Sequence, residues 1–313
     1  MKKILIFLMG CIFSSLCFAQ TTTQPLTVAL DWSEKPTQAP LFIAEQQGFF
    51  KAQGLNVKFI NLLHPALAPK MVAAQKADLA LAHGPDFIEQ VDHGLPIVRI
   101  GTLIDKPLNC IVALKESGIE TLADLKGKTI GTNENNLSTS MVTFMLEHQG
   151  FSPKEIKLSP LSGNPLSALL THKVAAITGT LRNLDVPKLE ASGHQLVVFF
   201  PEEHGAPNYS EWVFVANMAH AHDPRFPRFL TALKEAVKYL DEHPQQAWQQ
   251  FSKRYPHFNT ALNKESWFAT LPYFAENPSE FNHEEWLRFS MFMQKNKLIS
   301  KAQPVSRYTV SLG

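Results

Sequence analysis

Residues 27–60 read TVALDWSEKPTQAPLFIAEQQGFFKAQGLNVKFI, and this stretch limits the fold more than any other. Val28, Leu30 and Trp32 alternate with smaller or polar residues, the period of a strand. Ser33, Glu34, Lys35 and Pro36 then break the pattern into a loop. After Pro40, Leu41, Phe42, Ala44 and Phe49 fall at helical spacing, with Gly48 and Gly54 at the exit. Leu55, Val57 and Phe59 alternate again as a second strand. Strand, helix and strand in one stretch form a βαβ unit, which predicts a parallel sheet and a binding crevice at the carboxyl ends of its strands. Asp31, Trp32 and the loop to Gln38 lie at that end. A tryptophan there either caps the sheet or gives a cleft one flat apolar wall.

The same alternation of short elements continues. A short helix over 69–75 precedes an apolar strand, Ala77 to Ala82, that runs into His83-Gly84-Pro85-Asp86 at another carboxyl end. Strands are predicted over 95–102 and 109–114, a short helix over 121–127 and a strand over 128–131. Residues 138–149 carry helical periodicity, and strands over 156–158, 175–178 and 196–200 complete what reads as a separate α/β unit, roughly 109–208. An alternating strand over 210–216 returns, and the rest is helical. Leu230, Leu233, Val237 and Leu240 form one stripe that stops before Pro244. Asn282 with Glu285 reads as a capping box ahead of Trp286, Phe289 and Met293.

With 313 residues, 45% of them hydrophobic and 18% charged, the chain has the composition of an ordinary globular protein, and its length suggests two domains. Residues 1–19 resemble a removable export signal: Lys2 and Lys3, an apolar run over 4–18 too short for a comfortable membrane span, and a small-residue ending at Ala19. An alternative is a lipoprotein box, Leu8-Met9-Gly10-Cys11, which would leave a lipid on Cys11. Loss of residues 1–19 removes two lysines and no acid, so the net charge moves from +1 to about −1. No basic field for nucleic acid is then expected. Cys110 would be the single remaining thiol, which excludes an internal disulfide and reads as a small core residue.

Catalytic signatures are missing. The sequence has no GxGxxG, P-loop, HExxH or GxSxG. His220-Ala-His222-Asp223 and Glu202-Glu203-His204 lack the ligand spacing of a tetrahedral metal site and read as solvated loops. Neither a metal nor an organic cofactor is expected, and the chain reads as a non-enzyme.

Five segments taken together carry a resemblance: LDW…P…APLFIAEQQGFF, ADLALAHGPDF, PLNCIVALKESGIETLADLKGKTIG, GTLRNLD and HGAPNYSEWVFVAN. They resemble the periplasmic solute-binding proteins of ABC importers, and more narrowly the branch related to the fungal thiamine-pyrimidine synthases. The resemblance runs from about Thr27 to Phe292. It implies an α/β chain of the type II periplasmic-binding fold, with two α/β lobes around a ligand cleft. Lobe 1 would be 20–104 plus 209–313, and lobe 2 would be 105–208.

The resemblance also implies a site for a thiamine-related aminopyrimidine. Trp32 would stack on the ring, and Glu211 would accept from an exocyclic amine. Tyr209, two residues earlier, would share that face if the strand extends so far. Asn183 and Asp185 match the Asn and acidic positions of a segment resembling G-x-x-x-N-x-E. Gln38 takes the place of a histidine found in many pyrimidine binders, and His83 either faces the ligand or caps its strand. A membrane permease and an ATPase are the implied partners, the protein itself being a periplasmic monomer. Two alternatives stay open. One is a sulfonate, taurine or nitrate binder using Arg182 and the helix start near 133–138. The other is a pyrimidine synthase of the fungal type, whose cysteine-rich motif this sequence lacks.

Overall fold

The computed structural model describes residues 23–30, 35–62, 64, 66–132, 136–162 and 164–312. Among them the strands run β1 (Gln24–Leu30), β2 (Leu55–Asn61), β3 (Leu79–His83), β4 (Ile97–Ile104), β5 (Asn109–Leu114), β6 (Thr129–Thr132), β7 (Lys157–Pro160), β8 (Ala176–Leu181), β9 (Leu196–Phe199) and β10 (Trp212–Asn217). They form two five-stranded sheets, ordered β2-β1-β3-β10-β4 and β7-β6-β8-β5-β9. The helices are α1 (Ala39–Gln46), α2 (Phe49–Ala52), α3 (Leu67–Ala73), α4 (Gly84–Asp92), α5 (Asn136–His148), α6 (Pro165–Leu170), α7 (Asp185–Ala191), α8 (Arg225–Glu242), α9 (Pro244–Arg254), α10 (Ala261–Thr270) and α11 (His283–Lys295).

The opening stretch folds as its periodicity predicts. β1 and β2 pair in parallel with Val28 opposite Phe59, and Val28 and Leu30 face the core. Gly48 adopts a left-handed φ of 76°, which splits the predicted helix into α1 and α2.

The sheets are not wholly parallel, however. In the first, β1 pairs in parallel with β2 and β3, while β10 runs antiparallel to β3 and β4. In the second, β6 pairs in parallel with β7 and β8, while β5 runs antiparallel to β8 and β9. The two halves thus share one plan. In each, the antiparallel strand is the one delivered by a crossing segment: β5 follows the passage at 105–108, and β10 follows the return at 200–211. Those passages come together at the junction, where the Leu108 amide donates to the Glu211 carboxylate at 2.7 Å.

Some boundaries move. The returning strand begins at Trp212, so Tyr209 and Glu211 precede it, and the two-residue period of a strand does not orient them. The helix predicted over 121–127 is a 3-10 turn at Leu122–Leu125, held by reciprocal bonding between Thr121 and Asp124.

Helices α8 to α11 pack on the first half. α8 buries Phe226, Phe229, Leu230, Leu233 and Leu240, and Phe229 meets Phe214 of β10 edge-on at 5.1 Å. Each such side chain contributes about 1.5–3 kcal/mol through burial. Asn282 caps α11 by accepting from the amides of Glu284 and Glu285. This helix touches both halves: Phe289 stacks on Tyr209 at 4.8 Å, and Phe292 meets Phe144 of α5 at 5.6 Å. Cys110 is a core residue, 1% exposed, and burial pushes its thiol up to about 12.

Candidate functional site

Two chain segments build the site at the carboxyl end of β3. His83 ends that strand and precedes α4, and residues 209–212 lead into β10 beside it. Gly84 makes the approach possible. Its amide donates to the Glu211 carbonyl at 2.9 Å, and a Cβ at this position would lie 2.0 Å from the Ser210 carbonyl oxygen.

The His83 imidazole sits between two acids, with Nδ1 3.0 Å from Asp86 and Nε2 3.4 Å from Glu211. Burial opposes the imidazolium. Hydrogen bonds and charge from Asp86 and Glu211 outweigh that cost and push the group up to about 10. At neutral pH the site therefore holds a histidine cation flanked by carboxylates. Glu211 is 4% exposed, and its second oxygen accepts the Leu108 amide. Tyr209, 5% exposed, accepts from the Asn109 amide at 3.3 Å. Burial, then the neighbouring Glu211 charge, raises its phenol well above the ordinary value. Trp212 lies 5.8 Å from His83, and the Lys35 ammonium stands 5.3 Å above the indole.

The structure thus brings His83, Tyr209 and Glu211 together. Gln38 is buried at the end of a 3-10 turn, Pro36–Gln38, that packs against α10. Asn183 lies in the β8–α7 turn, and its Nδ2 donates to Thr270 of α10 at 2.8 Å. Asp185 opens α7, where its carboxylate accepts the Leu181 amide at 2.8 Å and holds that turn. Trp32, the expected stacking residue, lies outside the described residues.

Arg182 departs from its expected availability. Its guanidinium grips Glu202 at 2.6 and 2.9 Å and lies 4.0 Å over the Phe200 ring, with the side chain 4% exposed. Glu202 is therefore an ion-pair partner and not a free solvated acid. Sequence reasoning also missed Asp86, Asn109 and Thr270. Asp86 had a local signal, three residues beyond His83 at a helix start. Thr270 had none, being 87 residues from its partner.

Chemically, the cluster offers carboxylate and phenol oxygens, a cation held between acids, and an aromatic surface.

Comparison with known proteins places this chain in a family. The family model described as NMT1/THI5 like matches residues 35–247. A Haemophilus influenzae protein described as a thiamine biosynthesis protein is 38% identical over 307 residues, covering 98% of this chain and 97% of that one. A formylaminopyrimidine-binding protein of Halalkalibacterium halodurans is 26% identical, covering 78% of this chain and 76% of its own. A Candida albicans 4-amino-5-hydroxymethyl-2-methylpyrimidine phosphate synthase is also 26% identical, covering 87% of this chain and 83% of its own. Among solved structures, the periplasmic aliphatic sulphonate binding protein SsuA of Escherichia coli superposes with a TM-score of 0.74 at 15% identity, over 91% of this chain and 97% of that one. The likeness gives the fold: two α/β lobes of the periplasmic-binding type. The chain belongs to the NMT1/THI5-like family.

Proposed function

We propose that this chain is the periplasmic substrate-binding component of an ABC importer, and that it captures a thiamine-related aminopyrimidine. The observation that carries the reading is the Glu211 carboxylate, buried beside His83 and Tyr209 where the two crossing segments meet. An acceptor so placed suits an exocyclic amine, and a charge-assisted bond there is roughly twice as strong as a neutral one. The relative named for formylaminopyrimidine binding supports the same ligand class.

In this reading lobe 1 is 20–104 plus 209–313, lobe 2 is 105–208, and residues 1–19 direct export. Ligand stacks on Trp32, meets Gln38, His83, Asn183, Asp185, Tyr209 and Glu211 from the two sides, and favours the closed arrangement by touching both lobes. A permease and an ATPase then receive the closed form. The reading treats the protein as a binder and not an enzyme. No helix among the described residues is long and apolar enough to cross a membrane. The anion-binding alternative loses Arg182, which is committed to Glu202.

A thermal-shift screen over formylaminopyrimidine, 4-amino-5-hydroxymethyl-2-methylpyrimidine, thiamine, taurine and nitrate tests the assignment. Stabilisation by the aminopyrimidines alone is expected. A shift with taurine or nitrate and none with the aminopyrimidines would sink it. The synthase relatives motivate one control: incubation with a pyridoxal-phosphate-type donor and iron should yield no pyrimidine product.

A further inference from the structure

Asn183 is 0% exposed, and its side chain has one hydrogen-bond partner among the described residues, the Thr270 hydroxyl. That hydroxyl donates its own proton to the Ser266 carbonyl at 2.6 Å. It can therefore only accept from Asn183, which fixes the amide with its nitrogen toward Thr270. The Asn183 carbonyl oxygen, Oδ1, is left buried without a partner among the described residues. A buried acceptor with no donor is costly, so a bound solute that supplied one would be favoured there.

Its surroundings belong to the junction of the two halves. Asn183 leaves the second sheet after β8, whereas Thr270 ends α10, which packs against the Pro36–Gln38 turn of the first half. The Arg182 amide donates to the Leu108 carbonyl at 2.8 Å, and the Leu108 amide donates to Glu211, so one residue, Leu108, links the Asn183 turn to the carboxylate.

Building on the small-molecule reading above, we propose that Thr270 is a specificity-determining positioning residue. By orienting Asn183 it keeps Oδ1, a second acceptor from lobe 2, free for a donor on the solute. The cleft then selects a solute carrying donors on two edges: an amine for Glu211, and an N–H or O–H on a ring substituent for Asn183 Oδ1. A solute whose far edge only accepts is rejected.

The test uses calorimetric titration of the full chain with two probes, 4-amino-5-hydroxymethyl-2-methylpyrimidine and its 5-methoxymethyl ether, which lacks the substituent donor. Wild type and Thr270→Ser should prefer the alcohol by roughly tenfold or more. In Thr270→Val the amide is free to turn over and offer its nitrogen, so the preference should collapse toward unity. If Thr270→Val weakens both probes equally and keeps their ratio, Thr270 is merely structural and the proposal is overturned. Equal affinity of the wild type for alcohol and ether overturns it too, whether or not the valine variant folds. Binding of neither probe by the wild type overturns the small-molecule reading first, and this inference with it.

Discussion

His83 shows how one residue ties the site to stability. Its folded value, about 10, lies above the ordinary 6.5. The stabilisation from its pairing with Asp86 and Glu211 is therefore complete below the unfolded value and is lost as pH rises through the folded one. His83→Gln should be less stable than wild type near pH 6, with the gap narrowing toward pH 10, as measured by urea midpoints. A gap that stays constant would show that the histidine is not charged. Gly84 makes a second prediction, because the Ser210 carbonyl is backbone and cannot swing away. Gly84→Ala should cost about 1–3 kcal/mol by denaturant unfolding. Of the residues named from sequence, His83 and Glu211 were legible because strand ends and a family resemblance single them out. Thr270 was not, since a contact spanning 87 positions leaves no local pattern.

At the scale of elements, the βαβ opening was legible because its alternation and helical spacing are local properties. The antiparallel placement of β5 and β10 was not. Pairing direction depends on where a crossing segment re-enters the sheet, and neither strand's own residues record that. The start of β10 at Trp212 carries the same lesson, because Tyr209 is oriented by a bond to Asn109 at the start of β5 and Glu211 by one to Leu108 on the other crossing. α11 deserves a direct probe as the helix that touches both halves. A double-mutant cycle between Phe144 and Phe292 should give a coupling of about 0.5–1.5 kcal/mol in thermal or urea unfolding. Strict additivity would mean that this edge-to-face contact does not join the halves in solution.

For the whole molecule, the two-lobed plan follows from the chain crossing between sheets twice. Those crossings meet at the Leu108–Glu211 bond, which places Tyr209 and Glu211 on a segment that any opening motion must bend. In the proposed reading, ligand contacts from both sides convert binding energy into closure. The account rests on Glu211 gripping a donor-bearing pyrimidine, and calorimetric titration of wild type and Glu211→Gln with 4-amino-5-hydroxymethyl-2-methylpyrimidine tests it most directly. It predicts saturable one-to-one binding by the wild type and a loss of about tenfold to a hundredfold in the variant, whose side chain keeps its shape but not its charge. Wild-type affinity retained in Glu211→Gln would contradict it.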